Sequence, residues 1–256
     1  MRARDLIPFV LIGGIAVFIV QQRRSMKPAP TPPAAAPAQR QDPAQPPPEQ
    51  PVAAGVTSQP ADPARDAADA RLRLDQGAPG TYILDILSQQ EQTLIRWPDR
   101  SVNALRVWIE RWSDVANWDR NYPIVAEAAF TEWRAAGFPM RFDIVVDSVG
   151  ADIKIIWSNK FSEGGRQIGV TQKMRDQNGW IRRADIIIAT HNTQGAALAP
   201  ATIAGVVRHE VGHALGLGHS PSKNDVMYPE SYATTISEQD RATLHLLYTL
   251  PPGVVK

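Results

Sequence analysis

Apolar positions along this 256-residue chain change period several times, and each period predicts a different element. Leu6 to Val20 is apolar throughout apart from Pro8, Gly13 and Gly14, and Arg2 and Arg4 precede it. It reads as an export segment. The run is shorter than the roughly 20 residues of a comfortable bilayer span, but bilayer thinning and snorkelling by Arg23 and Arg24 offset the shortfall. An uncleaved signal-anchor over 1–27 is expected. The competing reading is a signal peptide, against which Val20 leads directly into Gln21, Gln22, Arg23 and Arg24 rather than a small-residue cleavage site. From Pro28 to Ala70 the chain has no Trp, Tyr, Phe, Leu or Ile, and Pro and Ala dominate it. Such a segment cannot bury enough apolar surface to offset its ordering entropy. A disordered linker over 28–80 is the expectation.

Folding signals begin at Thr81. Ile83, Leu84, Ile86, Leu87, Leu94 and Ile95 recur at spacings near 3 and 4, which predicts an amphipathic helix over 81–96. Its role is open at this point between an ordinary first helix, a cap and a short pro-segment. Beyond it, β-branched or alternating runs predict strands at Val102–Trp112, Arg141–Asp147, Ala151–Ser158, Gln167–Gln172 and Trp180–Thr190. Ile186, Ile187 and Ile188 suggest a strand buried on both faces. Helices are expected over Pro123–Ala136, with Gly137 as its stop, from Thr202 to about Leu215, and from Ser237 to near Tyr248. All seven tryptophans lie between Trp97 and Trp180, so one compact domain over 97–256 is the economical organisation.

Charge and composition narrow the function classes. The net charge of +1 comes without long blocks of either sign, so no nucleic-acid partner is expected. Cysteine is absent, which removes disulfides, thiolate ligands and thiol nucleophiles together.

Chemistry concentrates in His209-Glu210-Val211-Gly212-His213-Ala214-Leu215-Gly216-Leu217-Gly218-His219, which holds three of the chain's five histidines. Residues four apart share a helix face, so His209 and His213 can present imidazoles to one ion. Glu210, rotated about 100°, reaches a water beside that ion instead. Gly216 can turn the chain in a left-handed conformation and return His219 as a third ligand. Three protein ligands leave a fourth position open, the pattern of a catalytic zinc site. In that chemistry Glu210 takes the proton of the attacking water and passes it to the leaving amine.

With its fixed positions at His209, Glu210, His213, Gly216 and His219, the segment resembles the extended signature of the metzincin metalloproteases. Asp225-Val226-Met227-Tyr228-Pro229 looks like their methionine turn, with Met227 beneath the zinc. Ser220 after the third histidine and the Met-Tyr-Pro run make the chain similar to the matrixins within that clan. The resemblance covers about residue 97 to Tyr248 and implies an α+β fold, with a mixed, twisted five-stranded sheet, an active-site helix and a small C-terminal subdomain ending in a helix. It implies a zinc-dependent endopeptidase acting on protein or peptide substrates. The substrate strand would pair with the edge Gly165–Gln172, giving Ile168, Gly169 and Val170 a binding role, and Tyr232 would stand in the pocket wall. That wall, Pro229-Glu230-Ser231-Tyr232, is one residue longer than the family's. No cysteine is present to hold a zymogen latent. Of the histidines for the family's second zinc only His191 and His245 remain, so one Zn2+ is expected. The family's Ca2+ sites do not map onto positions here. With the N-terminal segment, the resemblance implies an extracytoplasmic catalytic domain tethered to a membrane, or secreted after cleavage. Two other classes compete: a zinc module that binds without turnover, and a hydrolase of non-peptide bonds.

Overall fold

A computed structural model describes residues 63–100, 103–159, 167–192, 194–230 and 233–254. The apolar run Leu6–Val20 lies outside them, and among the described residues no helix is long and apolar enough to cross a membrane.

The linker expected over 28–80 gives way to helix before its end. α1 spans Pro63–Gly77, because Ala-rich sequence is also the best helix former and its C-terminal half supplies apolar side chains for one face. Ala70 and Leu74 are buried. At its end Gly77 lies so close to Leu246 that a Cβ there would come within 2.5 Å of Leu246 Cδ1.

The helix expected over 81–96 is shorter, α2 at Ile83–Gln89. It buries Ile83, Ile86 and Leu87, as an ordinary core helix does. Left-handed backbone at Glu91 and Gln92 (φ 53° and 58°) then reverses the chain. Thr93–Leu94 (β1) consequently pairs antiparallel with Gly253–Val254 (β7). Spacing near 3 and 4 continued past the reversal by coincidence, since Leu94 and Ile95 are buried as extended residues.

The main sheet comprises β2 (Leu105–Ile109), β3 (Phe142–Val145), β4 (Ile153–Ser158), β5 (Gly169–Arg175) and β6 (Ile181–Ala189). Its order is β3-β2-β4-β6-β5. Every pairing is parallel except β5 with β6, which is antiparallel. The expected α+β architecture with a mixed five-stranded sheet is therefore present, and β5 is an edge. β6 departs from its expectation in one respect: Ile186 and Ile188 are buried, but Ile187 between them is only partly so. One face of β6 carries the core, and β4 alternates likewise. α3 (Tyr122–Ala135) buries Tyr122, Ala126, Ala129, Phe130 and Trp133.

Two further helices complete the core. α4 (Pro200–Ala214) starts from Ala199 rather than Thr202, with Pro200 in its first turn. Proline is suited to that position because its fixed φ is already helical and no N–H is left unpaired. α3 and α4 lock together where Trp133 Nε1 donates to Arg208 O at 2.8 Å and Arg208 pairs with Glu132. α5 (Glu238–Thr249) is capped by Ser237 in a reciprocal capping box with Asp240.

Candidate metal centre

α4 carries His209 and His213 one turn apart, and neither ring is free to rotate. His209 Nδ1 donates to Val226 O at 2.7 Å, and His213 Nδ1 donates to Leu217 O at 2.9 Å. Each imidazole therefore presents Nε2 to the space between them. Gly216, at φ 107°, ends the turn after α4. The Ile95 carbonyl lies where its Cβ would be, so both conformation and space require glycine. The chain returns His219, and a ring nitrogen of each of the three histidines lies within 4.8 Å of the others. His213 Nε2 and His219 Nε2 are 3.2 Å apart.

That geometry fits zinc. Tetrahedral ligation at about 2.0–2.1 Å puts two imidazole nitrogens about 3.4 Å apart. Burial pushes the imidazolium forms down, to about 4 at His209 and well below the ordinary range at His213. His219 moves the same way, by burial and then by the nearby Lys173 ammonium. Neutral imidazoles clustered with ring nitrogens facing one another are a ligand set.

Under the triad runs the turn Asp225–Pro229. Met227 is fully buried, and its Sδ occupies the space a Cβ at Gly212 would need. Glycine in the middle of α4 costs helix propensity, yet it lets the turn approach the helix. Ser220 N–H donates to Met227 O at 2.8 Å, tying the turn to the residue after His219. Two buried carboxylates hold it from below. Asp240 accepts from Val226 N at 2.8 Å, Tyr82 Oη at 2.9 Å and Ser237 N at 3.1 Å. Asp225 accepts from Ser220 Oγ and Ser237 Oγ at 2.5 and 2.7 Å.

The Glu210 carboxyl packs against β5. Burial raises its carboxyl to about 7, against the opposing pulls of the Thr171 hydroxyl and the Lys173 ammonium. Thr171 Oγ1 lies 2.7 Å from Oε2 and 2.9 Å from the Glu210 carbonyl oxygen. Its single proton can serve the carboxylate when Glu210 is charged, and the carbonyl when Glu210 is protonated and itself donates. The other oxygen, Oε1, faces Gly169, where a Cβ would come within 2.7 Å of it and within 2.6 Å of Val206 Cγ1. Gly169, Thr171 and Lys173 alternate along one face of β5. Burial lowers the Lys173 ammonium to about 8, although Glu210 pulls it upward.

The structure thus brings His209, His213 and His219 together, with Met227 packed against Gly212 of the same helix and the Glu210 carboxyl against β5. Of the expected substrate-side residues, Gly169 and Val170 lie on edge strand β5 and Ile168 directly precedes it, its carbonyl accepting from Ala189 N at 2.8 Å. Gly169 meets the site through Glu210. Tyr232 lies outside the described residues, as do Gly165 and Arg166. Thr171 falls within the expected edge Gly165–Gln172 but, like Lys173 and Asp240, was not legible as a residue of the site. Asp240 alone had a local signal, the Ser-x-x-Asp spacing of a capping box.

Comparison with known proteins agrees with the site. The family model described as Matrixin matches residues 109–249, a span that contains the whole triad and the methionine turn. The chain is also 31% identical over 112 residues to "Metalloendoproteinase 1-MMP" of Arabidopsis thaliana, a match covering 41% of this chain and 30% of that protein.

Proposed function

The chain belongs to the matrixin family, and from that premise we propose that it is a zinc-dependent endopeptidase with Glu210 as its general base. The observation that carries this reading is the three-histidine cluster with a buried carboxyl beside it on the same helix. His209, His213 and His219 would hold the ion through ring nitrogens. Zinc bound there supplies Lewis acidity, which acidifies water near neutral pH and polarises a carbonyl.

The remaining work falls to the protein's own groups. Thr171 orients Oε2 of Glu210, and Gly169 leaves Oε1 open beside the edge strand, so Oε1 is the oxygen that takes the water's proton. A carboxyl held at about 7 keeps that proton long enough to give it to the leaving nitrogen. Among the described residues β5 is paired on one side only, by β6, which suits its other side to an extended peptide adding as a strand. A peptide bond aligned there would lie over the triad, since β5 contacts Glu210 through Gly169 and Thr171.

The site would work outside the cytoplasm, tethered by the apolar Leu6–Val20 run and spaced by the Pro/Ala-rich stretch. Protease digestion of intact cells checks this: loss of the full-length band supports it, and protection until lysis opposes it.

Zinc titration tests the main reading. Full-length protein stripped with a chelator should bind one zinc and regain hydrolysis of an unstructured protein in proportion to occupancy. Two equivalents of tightly bound zinc would contradict the single site, and one bound zinc without hydrolysis would contradict the activity.

A further inference from the structure

Two of the three histidines are fixed twice over, by α4 and by a carbonyl at Nδ1. His219 has neither. It follows the helix on a turn through Gly216, and among the described residues no carbonyl takes up its ring as Val226 and Leu217 do for the others. What holds it is its backbone. Gln89, at the end of α2, accepts from His219 N–H through Oε1 at 2.8 Å and donates from Nε2 to the His219 carbonyl at 2.8 Å. One primary amide thus reads both polar groups of one residue, as a peptide unit on a neighbouring strand would. Donor and acceptor are each complemented, so the orientation of the amide is fixed by the pair.

Other side chains hold the rest of the turn by its carbonyls. Gln90 Nε2 donates to Gly216 O at 3.4 Å, Trp97 Nε1 to Ala214 O at 2.8 Å, and the Tyr248 hydroxyl to Leu215 O at 2.8 Å. Gln89, Gln90 and Trp97 all lie ahead of the span 109–249 that the family model matches. Ile86 and Gln89 crowd Gly218 so closely that a Cβ there would lie 3.2 Å from Ile86 Cγ1 and 2.8 Å from Gln89 Oε1. α2 is anchored in turn by Ile83, Ile86 and Leu87 in the core and by Tyr82 on Asp240.

We propose that Gln89 is a positioning residue for the third metal ligand, and that α2 is thereby part of the metal centre rather than a removable pro-segment. This rests on the zinc reading above. Gln89 touches neither substrate nor ion; it acts by restricting where His219 Nε2 can stand. Loss of the clamp lets the turn wander, so the three-nitrogen arrangement must be ordered by the metal itself, at a cost in affinity.

Zinc competition against a chromophoric chelator, on the full-length protein, tests it. The parent's own affinity is measured first and reports on the metal reading independently of the clamp. Gln89→Leu, which keeps the size of the side chain but removes both hydrogen bonds, should bind zinc on the order of tenfold more weakly, as is usual when a group supporting a ligand is lost. Cobalt substituted for zinc should show an altered visible band in this variant. Asp85→Ala, on the exposed side of the same helix, should match the parent in both. Gln89→Glu keeps an acceptor for the His219 N–H but has no donor for its carbonyl, and should also bind zinc more weakly; it serves if the leucine variant does not fold. Zinc affinity within twofold of the parent in a folded Gln89 variant, with a superimposable cobalt spectrum, would overturn the proposal.

Discussion

Glu210 is the proposed base, and its burial also bears on stability. Its carboxyl rises from 4.5 to about 7 on folding, chiefly through burial, so the folded chain holds the proton more tightly than the unfolded one. Glu210's own contribution to the stability of the metal-free protein is therefore full below pH 4.5 and is lost as pH rises toward and past 7. The penalty is on the order of 3 kcal/mol. Glu210→Gln should raise the Tm of metal-free protein at pH 8 and leave it nearly unchanged at pH 4.5; equal shifts at both would contradict the burial argument. The histidines act oppositely: His209, lowered to about 4, withdraws stability as pH falls below 6.5. Gly169 is the complementary case. Gly169→Ala places a methyl against Val206 and Glu210 Oε1 and should lower kcat by on the order of tenfold to a hundredfold through a displaced base, with zinc content unchanged. At this scale the triad and Glu210 were legible because spacing within one helix and one glycine turn is local information. Thr171 and Gln89 were not, since they meet the site across 39 and 130 residues, a distance no pattern encodes.

Elements show the same division between local and distant causes. The helix from Ser237 was readable from its cap, and the five strands from their β-branched runs. α2 was misjudged in length because apolar spacing carried on through two left-handed residues, Glu91 and Gln92, whose conformation depends on β1 finding its partner at the far end of the chain. The end of the linker was misjudged because composition alone does not separate an Ala-rich coil from α1, whose Leu74 finds a buried place in the core. The methionine turn was visible as a motif, but its support was not. Asp240 joins α2, the turn and α5 by accepting three hydrogen bonds while fully buried. Asp240→Ala leaves those donors unpaired and should destabilise the protein by about 3 kcal/mol or more, measured by urea unfolding. A loss below about 1 kcal/mol would mean that the turn is held by its other contacts.

In the described part of the molecule, the sheet, its helices and the residues from α2 onward surround the three-histidine cluster and the proposed base. β5, the proposed docking edge for a peptide, is also the strand that contacts Glu210 through Gly169 and Thr171. A metal that binds only the folded state stabilises it by mass action, by about 4 kcal/mol at a thousandfold excess over its Kd. Adding zinc to chelator-treated protein should accordingly raise Tm, and the gain should vanish in His213→Ala. The central claim is peptide-bond hydrolysis by this site, and it is tested most directly by incubating full-length protein, carrying one zinc, with casein beside the Glu210→Ala variant at equal zinc content. New casein termini from the parent, with at least a thousandfold less from the variant, are the predicted result; equal cleavage by both, or none by the zinc-loaded parent, would contradict it.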